Sequence, residues 1–136
     1  MIDIKLLEQL CLCNGISGDE GNVRNLIINE IKDCADDIKT DNLGNLIVFK
    51  KGKKSAKSKL MVSAHMDEVG LMVTDITSDG YLKFDEVGGI DRRVLPGKRV
   101  CVGRNGLNGV IGVKPIHLTN GDEKSAVPKM SDMYID

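Results

Sequence analysis

The spacing of apolar residues predicts an amphipathic helix at the start of the chain. Between residues 3 and 13 apolar side chains recur every three or four positions, at Ile4, Leu7, Leu10 and Cys11. This spacing places them on one face of a helix. The Asn14-Gly15 pair that follows is typical of a helix end, so we expect the helix to stop there.

A second helix is predicted after residue 20. Ser17-Gly18-Asp19-Glu20 has the spacing of a capping box, in which the Ser17 hydroxyl would cap the helix and the Glu20 carboxylate would reach back to it. The residues expected on the inner face of this helix are Val23, Ile27, Ile31 and Cys34.

The pattern then changes to short β-like runs. Residues 38–40 and 46–49 flank the turn-forming stretch 41–45, which predicts a hairpin. The continuous apolar run 60–64 predicts a strand that is buried on both faces. Together with the helices, these runs place the chain in the α/β class.

From residue 70 onwards the chain is a series of β runs separated by turn signals. The signals are Ser78-Asp79-Gly80, Val87-Gly88-Gly89, Leu95-Pro96-Gly97 and Arg104-Asn105-Gly106. This pattern predicts a small β barrel or sandwich. The last run, 130–136, is predicted to be the beginning of a strand with no turn after it, so we expect the β domain to be incomplete.

Composition limits the possible partners. The 136 residues carry 19 basic and 20 acidic side chains, a net charge of -1, with no Trp and only four Phe and Tyr. We therefore expect no nucleic-acid partner, and the lysine-rich stretch 50–59 is predicted to be a solvated loop. No apolar run approaches the roughly eighteen residues of a membrane span, and the amino terminus lacks a signal-peptide core, which predicts no membrane partner and a cytoplasmic location.

The four cysteines are predicted to be thiols in buried or half-buried structural positions. Cys11-Leu12-Cys13 lacks the two-residue spacer and the second pair of a zinc cluster, and Cys34 and Cys101 stand alone. Free cysteine packs as a small hydrophobic residue, which is why burial is expected.

His65-Met66-Asp67, directly after the apolar run 60–64, is the strongest candidate for chemistry. A strand would place His65 and Asp67 on one face, where the carboxylate could hold the imidazole while its other nitrogen meets a metal. The His-x-Asp spacing alone fits a structural role equally well, and its position after a buried strand favours a functional one. A zinc site needs about three or four ligands, and His65 is the one strong candidate ligand that the sequence offers.

Other candidates are weaker. Asp67-Glu68 and Asp85-Glu86 would point to opposite faces of a strand, so neither makes a glycosidase pair. His117 follows a proline and is predicted to be a loop or packing histidine. Ser17 has no base beside it in sequence, and Val87-Gly88-Gly89 lacks the helix and lysine of a phosphate loop.

Six blocks of sequence closely resemble the glutamyl aminopeptidase, or tetrahedral aminopeptidase, family, some of whose members are labelled cellulase M or endoglucanase. The blocks are Gly15-Ile16-Ser17-Gly18-Asp19-Glu20, Val23-Arg24, Asp41-Asn42-Leu43-Gly44-Asn45-Leu46-Ile47, Ala64-His65-Met66-Asp67-Glu68-Val69-Gly70, Gly88-Gly89-Ile90-Asp91 and Gly109-Val110-Ile111-Gly112-Val113-Lys114-Pro115-Ile116-His117. Their order and rough spacing match the family along essentially the whole chain.

The resemblance implies a cytosolic exopeptidase that acts on short peptides with two adjacent divalent metals, zinc or cobalt. It implies that His65 ligates one metal and that Asp67 orients the site beside it. The remaining ligands and the general base of the family have no matching position here, so this chain alone is expected to be inactive and to bind no metal by itself.

The resemblance also implies a domain organisation. Residues 1–69 would be the amino-terminal part of a split α/β catalytic domain, and residues 70–136 an incomplete β-barrel-like insert that builds homo-oligomers, from dimers to dodecamers. Two readings besides the enzyme stay open. One is a naturally truncated, non-catalytic binding or oligomerisation module, and the other, with least support, is an endoglucanase.

Overall fold

The computed structural model describes residues 3–54, 58–114 and 127–136. The chain divides into two compact units, Met1–Glu68 and Val69–Asp136. Helices and strands are both present, as the α/β class requires. The assignment of residues 1–69 to a catalytic domain and of residues 70–136 to an insert remains a prediction.

The first unit begins with two helices, α1 (Ile4–Leu12) and α2 (Gly21–Ile31). Asp3 caps α1, because its Oδ1 accepts hydrogen bonds from the backbone N–H groups of Lys5 and Leu6 at 3.0 and 3.2 Å. The helix ends at Leu12, just before the Asn14-Gly15 pair. Both helices predicted from apolar spacing are therefore confirmed.

The capping box predicted at the start of α2 is wrong. The helix begins at Gly21, so Ser17 lies four residues before its first turn, and no side chain caps the helix. The Glu20 carboxylate instead accepts a hydrogen bond from the backbone N–H of Gly18 at 2.6 Å. The Ser17 hydroxyl is engaged elsewhere, by Asp67.

A hairpin of β1 (Asp37–Thr40) and β2 (Leu46–Phe49) follows, as predicted. Its turn is held by Asp41, whose Oδ1 accepts from the backbone N–H groups of Leu43 and Asn45 at 3.0 and 2.9 Å. The turn also needs Gly44, which has a φ of 88°. Arg24 of α2 donates to the carbonyl of Gly44 at 2.5 Å, which ties the helix to the hairpin.

The buried strand predicted at residues 60–64 is not found. These residues form no strand, and Leu60, Met61 and Val62 are 91, 87 and 87 % exposed. A strand buried on both faces needs neighbouring strands to hydrogen-bond with. Among the described residues of the first unit, β1 and β2 pair only with each other.

The prediction of buried or half-buried cysteines is wrong for three of the four. Cys11, Cys34 and Cys101 are exposed, and Cys13 is half-buried. Cys34 lies beyond the end of α2, so it does not share the buried face of that helix. Val23 is the residue of α2 that is buried, with 6 % of its surface exposed.

The described strands of the second unit are β3 (Gly70–Ile76), β4 (Leu82–Val87), β5 (Arg99–Val102), β6 (Leu107–Val113) and β7 (Met133–Ile135). They form a five-stranded antiparallel sheet in the order β3-β4-β7-β6-β5. Short 3₁₀ helices span Arg92–Val94 and Met130–Asp132. All four predicted turn signals lie in the connections between these elements.

The last strand completes the core of this sheet. β7 lies between β4 and β6, and its residues Met133 and Ile135 are buried there. The side chains that form the core are Phe84, Leu95, Ile111, Met130, Met133 and Ile135. The strand predicted at 130–136 is thus confirmed in its second half, with a 3₁₀ turn before it.

Within the described ranges, no helix has both the length and the apolar character needed to cross a bilayer. His117 lies outside the described residues, as does part of the lysine-rich stretch, residues 55–57.

Candidate functional site

His65 and Asp67 are in direct contact. His65 Nδ1 lies 3.1 Å from Asp67 Oδ1 and 3.0 Å from the Asp67 backbone oxygen. Both oxygens are acceptors when the carboxylate is ionised, so Nδ1 must carry the proton and donate. In a neutral imidazole the other nitrogen, Nε2, then holds the lone pair that a metal would bind.

The His65 side chain is open to solvent while its carboxylate partner is held. The imidazole is 86 % exposed and the Asp67 side chain 40 %. Among the described residues, no hydrogen bond engages Nε2 of His65. Nε2 is therefore exposed and carries the lone pair, which is the arrangement that metal binding by a histidine requires.

Asp67 has a second partner in Ser17. The Ser17 hydroxyl donates a hydrogen bond to Asp67 Oδ2, the oxygen that His65 does not use. This bond from Ser17, and after it the one from His65, lowers the pKa of Asp67 below its ordinary value. The carboxylate is therefore kept ionised and bonded through both oxygens.

The loop between α1 and α2 is anchored to the segment that carries Asp67. Ile16 and Glu68 form an isolated parallel β-bridge. The backbone N–H of Glu68 donates to the carbonyl of Gly15 at 2.8 Å, and the N–H of Gly15 donates to Glu68 Oε1 at 3.2 Å. These bonds fix the backbone on either side of the contact between Ser17 and Asp67.

The described residues fit one ligand position of a metal site and not a whole site. No group of three or more His, Cys, Asp or Glu side chains in residues 3–54, 58–114 and 127–136 could hold a metal ion. Because zinc sites use three or four ligands, any further ligands must come from other residues. We therefore derive no catalytic step through a metal from this chain.

The sequence identified two of the residues that come together here and missed the others. His65 and Asp67 were singled out, and the structure brings them into contact. Ser17 was assigned to helix capping, and Glu68 was considered only as half of an acidic pair. The one signal in the sequence is the glycine at position 15, next to this loop. The structure explains it, because a Cβ at Gly15 would lie 2.5 Å from Val23 Cγ2.

The sequence of the chain matches a known protein family. Residues 44–136 match the M42 glutamyl aminopeptidase family. The chain is 46 % identical over 131 residues to the "Putative aminopeptidase" of Acetivibrio thermocellus, covering 96 % of this chain and 37 % of that protein. It is 39 % identical to the lysyl aminopeptidase of Pyrococcus furiosus, covering 87 % of this chain and 34 % of that protein.

Solved structures agree with the sequence comparison. The TET aminopeptidase of a marine sediment archaeon of the Thaumarchaeota matches with a TM-score of 0.89 and 33 % identity, over 98 % of this chain and 37 % of that one. The Pyrococcus horikoshii TET1 peptidase, described as assembling into a tetrahedron or a large octahedral shell, matches with a TM-score of 0.81 and 44 % identity. That match covers 98 % of this chain and 39 % of the peptidase.

The chain thus spans little more than a third of the length of the relatives it matches. The family match extends over more than half of the chain and includes the His65-Met66-Asp67 segment. On these grounds the chain belongs to the M42 glutamyl aminopeptidase family.

Proposed function

We propose that this chain is the amino-terminal part of a cytoplasmic, metal-dependent aminopeptidase that removes amino-terminal residues from short peptides. The observation that carries the proposal is the contact between His65 Nδ1 and Asp67, which leaves Nε2 available for a metal. The membership of the chain in an aminopeptidase family supplies the reaction class.

In the proposed site His65 is one metal ligand and Asp67 is the residue that orients it. The family's two divalent ions, zinc or cobalt, would supply Lewis-acid polarisation of a peptide carbonyl and a water of low pKa. The resemblance to the family gives no position in this chain for the other ligands and the general base. We therefore expect the 136 residues alone to be inactive.

The exposed apolar run supports the assignment of residues 1–69 to part of a larger α/β domain. Leu60, Met61 and Val62 precede the His65 segment and are 91, 87 and 87 % exposed. Apolar residues in such a run belong in a sheet. We propose that strands from other residues flank them and complete the catalytic domain.

Residues 70–136 are proposed to form an insert that builds homo-oligomers. Apolar side chains are exposed along its strands and loops, namely Met72, Val73, Ile76, Val94, Leu107 and Val110. We propose that these side chains contribute to an interface, because contiguous exposed apolar surface marks sites of association. The tetrahedral and octahedral assemblies of the P. horikoshii peptidase support association of this kind.

One observation favours a second candidate, the non-catalytic binding or oligomerisation module. Among the described residues, Val23 is the only buried hydrophobic residue of the first unit, while the second unit has a core of six. The second unit is therefore the better candidate for a part that functions without catalysis. Under this alternative, His65→Ala should leave assembly unchanged, and a loss of assembly would count against it.

The enzyme proposal is tested by comparing two proteins: the 136-residue chain and the product of the complete reading frame that contains it. We expect metal-dependent release of amino-terminal residues from short peptides by the longer product, and none by the chain alone. Turnover by the chain alone would contradict the proposed division of the site. Two outcomes would favour the non-catalytic module instead. One is a longer product that hydrolyses no peptide in the presence of zinc or cobalt, and the other is a reading frame that ends at Asp136.

A further inference from the structure

The hydroxyl of Ser17 is bonded to the one carboxylate that holds His65. Asp67 uses Oδ1 to accept from His65 and Oδ2 to accept from Ser17. The two bonds use opposite oxygens, so together they restrict rotation of the carboxylate about its terminal torsion. With one bond alone, that torsion is broad and roughly two-fold.

The position of Ser17 is itself fixed by the surrounding backbone. Gly15 and Glu68 exchange two hydrogen bonds, and Ile16 pairs with Glu68 in a β-bridge. On the other side of Ser17, the backbone N–H of Asp19 donates to the carbonyl of Ile16 at 2.9 Å. Ser17 is half-buried in this loop, and its hydroxyl meets a partner 50 positions later in the sequence.

We propose that Ser17 is a positioning residue for the metal ligand: its hydroxyl fixes the Asp67 carboxylate, which in turn keeps His65 in the tautomer with the proton on Nδ1 and the lone pair on Nε2. The inference rests on the proposed function for its metal, but not for its geometry. The Ser17 hydroxyl bonds to Asp67, so it acts on His65 through that carboxylate.

The chain of contacts predicts which changes matter. Ser17→Ala removes the bond to Oδ2 and lets the carboxylate turn away from Nδ1, which keeps only the Asp67 backbone oxygen as acceptor. The Nε2-protonated tautomer of His65 should therefore gain part of the population. Ser17→Thr keeps a hydroxyl at the same place and should restore the wild-type tautomer. Ser63→Ala removes an exposed hydroxyl two residues before His65 and should change nothing.

The test is the imidazole ¹⁵N spectrum of His65 in the metal-free 136-residue chain. It is recorded at alkaline pH, where imidazole side chains are neutral. We expect Ser17→Ala to shift His65 toward the Nε2-protonated form, and Ser17→Thr and Ser63→Ala to resemble the wild type. An unchanged tautomer in Ser17→Ala would overturn the proposal. If Ser17→Ala fails to fold, loss of the Nδ1-protonated form in a folded Ser17→Thr variant would overturn it equally.

A second readout separates this inference from the proposed function. In the product of the complete reading frame, zinc affinity measured by competition with a chelator should fall about 10- to 100-fold in Ser17→Ala, as for other residues that orient a ligand. Ser17→Thr should recover most of it. A longer product that binds no zinc in its wild-type form would contradict the proposed function, while the tautomer measurement would still decide the role of Ser17.

Discussion

Gly15 and Glu68 are joined by two hydrogen bonds that run in opposite directions, one from the Glu68 backbone N–H to the Gly15 carbonyl and one from the Gly15 N–H to Glu68 Oε1. The pair joins the loop after α1 to the segment that carries His65 and Asp67. Gly15 also packs closely against α2, since a Cβ at this position would lie 2.5 Å from Cγ2 of the buried Val23.

Gly15→Ala should destabilise the first unit. The new Cβ would lie 2.5 Å from Val23 Cγ2, so the buried valine or the loop must move. Overpacking of this kind costs about 1–3 kcal/mol. Thermal unfolding followed by circular dichroism measures the effect.

Gly21→Ala is the matched control, because a Cβ there would lie 3.8 Å from Arg24 Nη2, an ordinary contact, and because Gly21 starts α2. It should be neutral or slightly stabilising, since alanine favours helix. Equal stability of the two variants would contradict the packing role given to Gly15.

Gly112→Ala should destabilise the second unit. The position lies on β6 opposite Tyr134 of β7, and a Cβ would meet the tyrosine ring at 2.6 Å. The ring is also in edge contact with Tyr81, with centroids 4.8 Å apart, so movement would disturb both rings. We expect a loss of about 1–3 kcal/mol in the free energy of unfolding, measured with urea.

Gly89→Ala is the control for that variant, because a Cβ there meets no atom of the described residues within 4 Å. A loss of stability as large in Gly89→Ala as in Gly112→Ala would show that the contact with Tyr134 is not the cause.

Asp91 should titrate well below an ordinary carboxyl. The side-chain and backbone hydrogen bonds from Arg93 lower its pKa from 3.8 to about 2. Because the folded pKa is lowered, the stability contributed by ionised Asp91 is present above the unfolded value of 3.8 and is lost as the pH falls through about 2. The difference in Tm between wild type and Asp91→Asn should therefore be constant near neutral pH and shrink in this acidic window.

Arg93→Ala should raise the pKa of Asp91 toward its ordinary value in an NMR titration. Arg92→Ala is the matched control, since Arg92 pairs with Glu86 instead, at 2.6 Å. If both variants move the Asp91 titration equally, the assignment of the shift to Arg93 is wrong.

The exposed apolar run should make the 136-residue chain associate. Leu60 and Val62 are 91 and 87 % exposed, and unpaired apolar segments recruit other chains. We expect Val62→Lys to reduce association measured by light scattering. Leu12→Lys is the control, because Leu12 is 76 % exposed but lies at the end of α1, outside the run. An equal effect of both variants would show that the run has no special role.

The elements that depend on nearby residues could be predicted from the sequence. The hairpin followed from the turn chemistry around Asp41 and Gly44, whose hydrogen bonds join residues at most four positions apart. The first helix followed from its spacing and its Asn14-Gly15 end. The turn signals of the second unit were equally local.

The features that depend on distant partners could not be predicted. The run at residues 60–64 has the composition of a buried strand, but whether it forms one depends on neighbouring strands. Ser17 fits a capping box by spacing, and its actual partner, Asp67, lies 50 residues away. The contact between His65 and Asp67 was accessible because it spans two residues.

The central claim is that His65 is a metal ligand of an M42 aminopeptidase. The most direct test is the metal content of the product of the complete reading frame, measured by mass spectrometry in the wild type, His65→Ala and His117→Ala. We expect His65→Ala to lose bound metal and His117→Ala to retain it, since His117 is predicted to be a loop or packing histidine. Full metal content in His65→Ala would contradict the account.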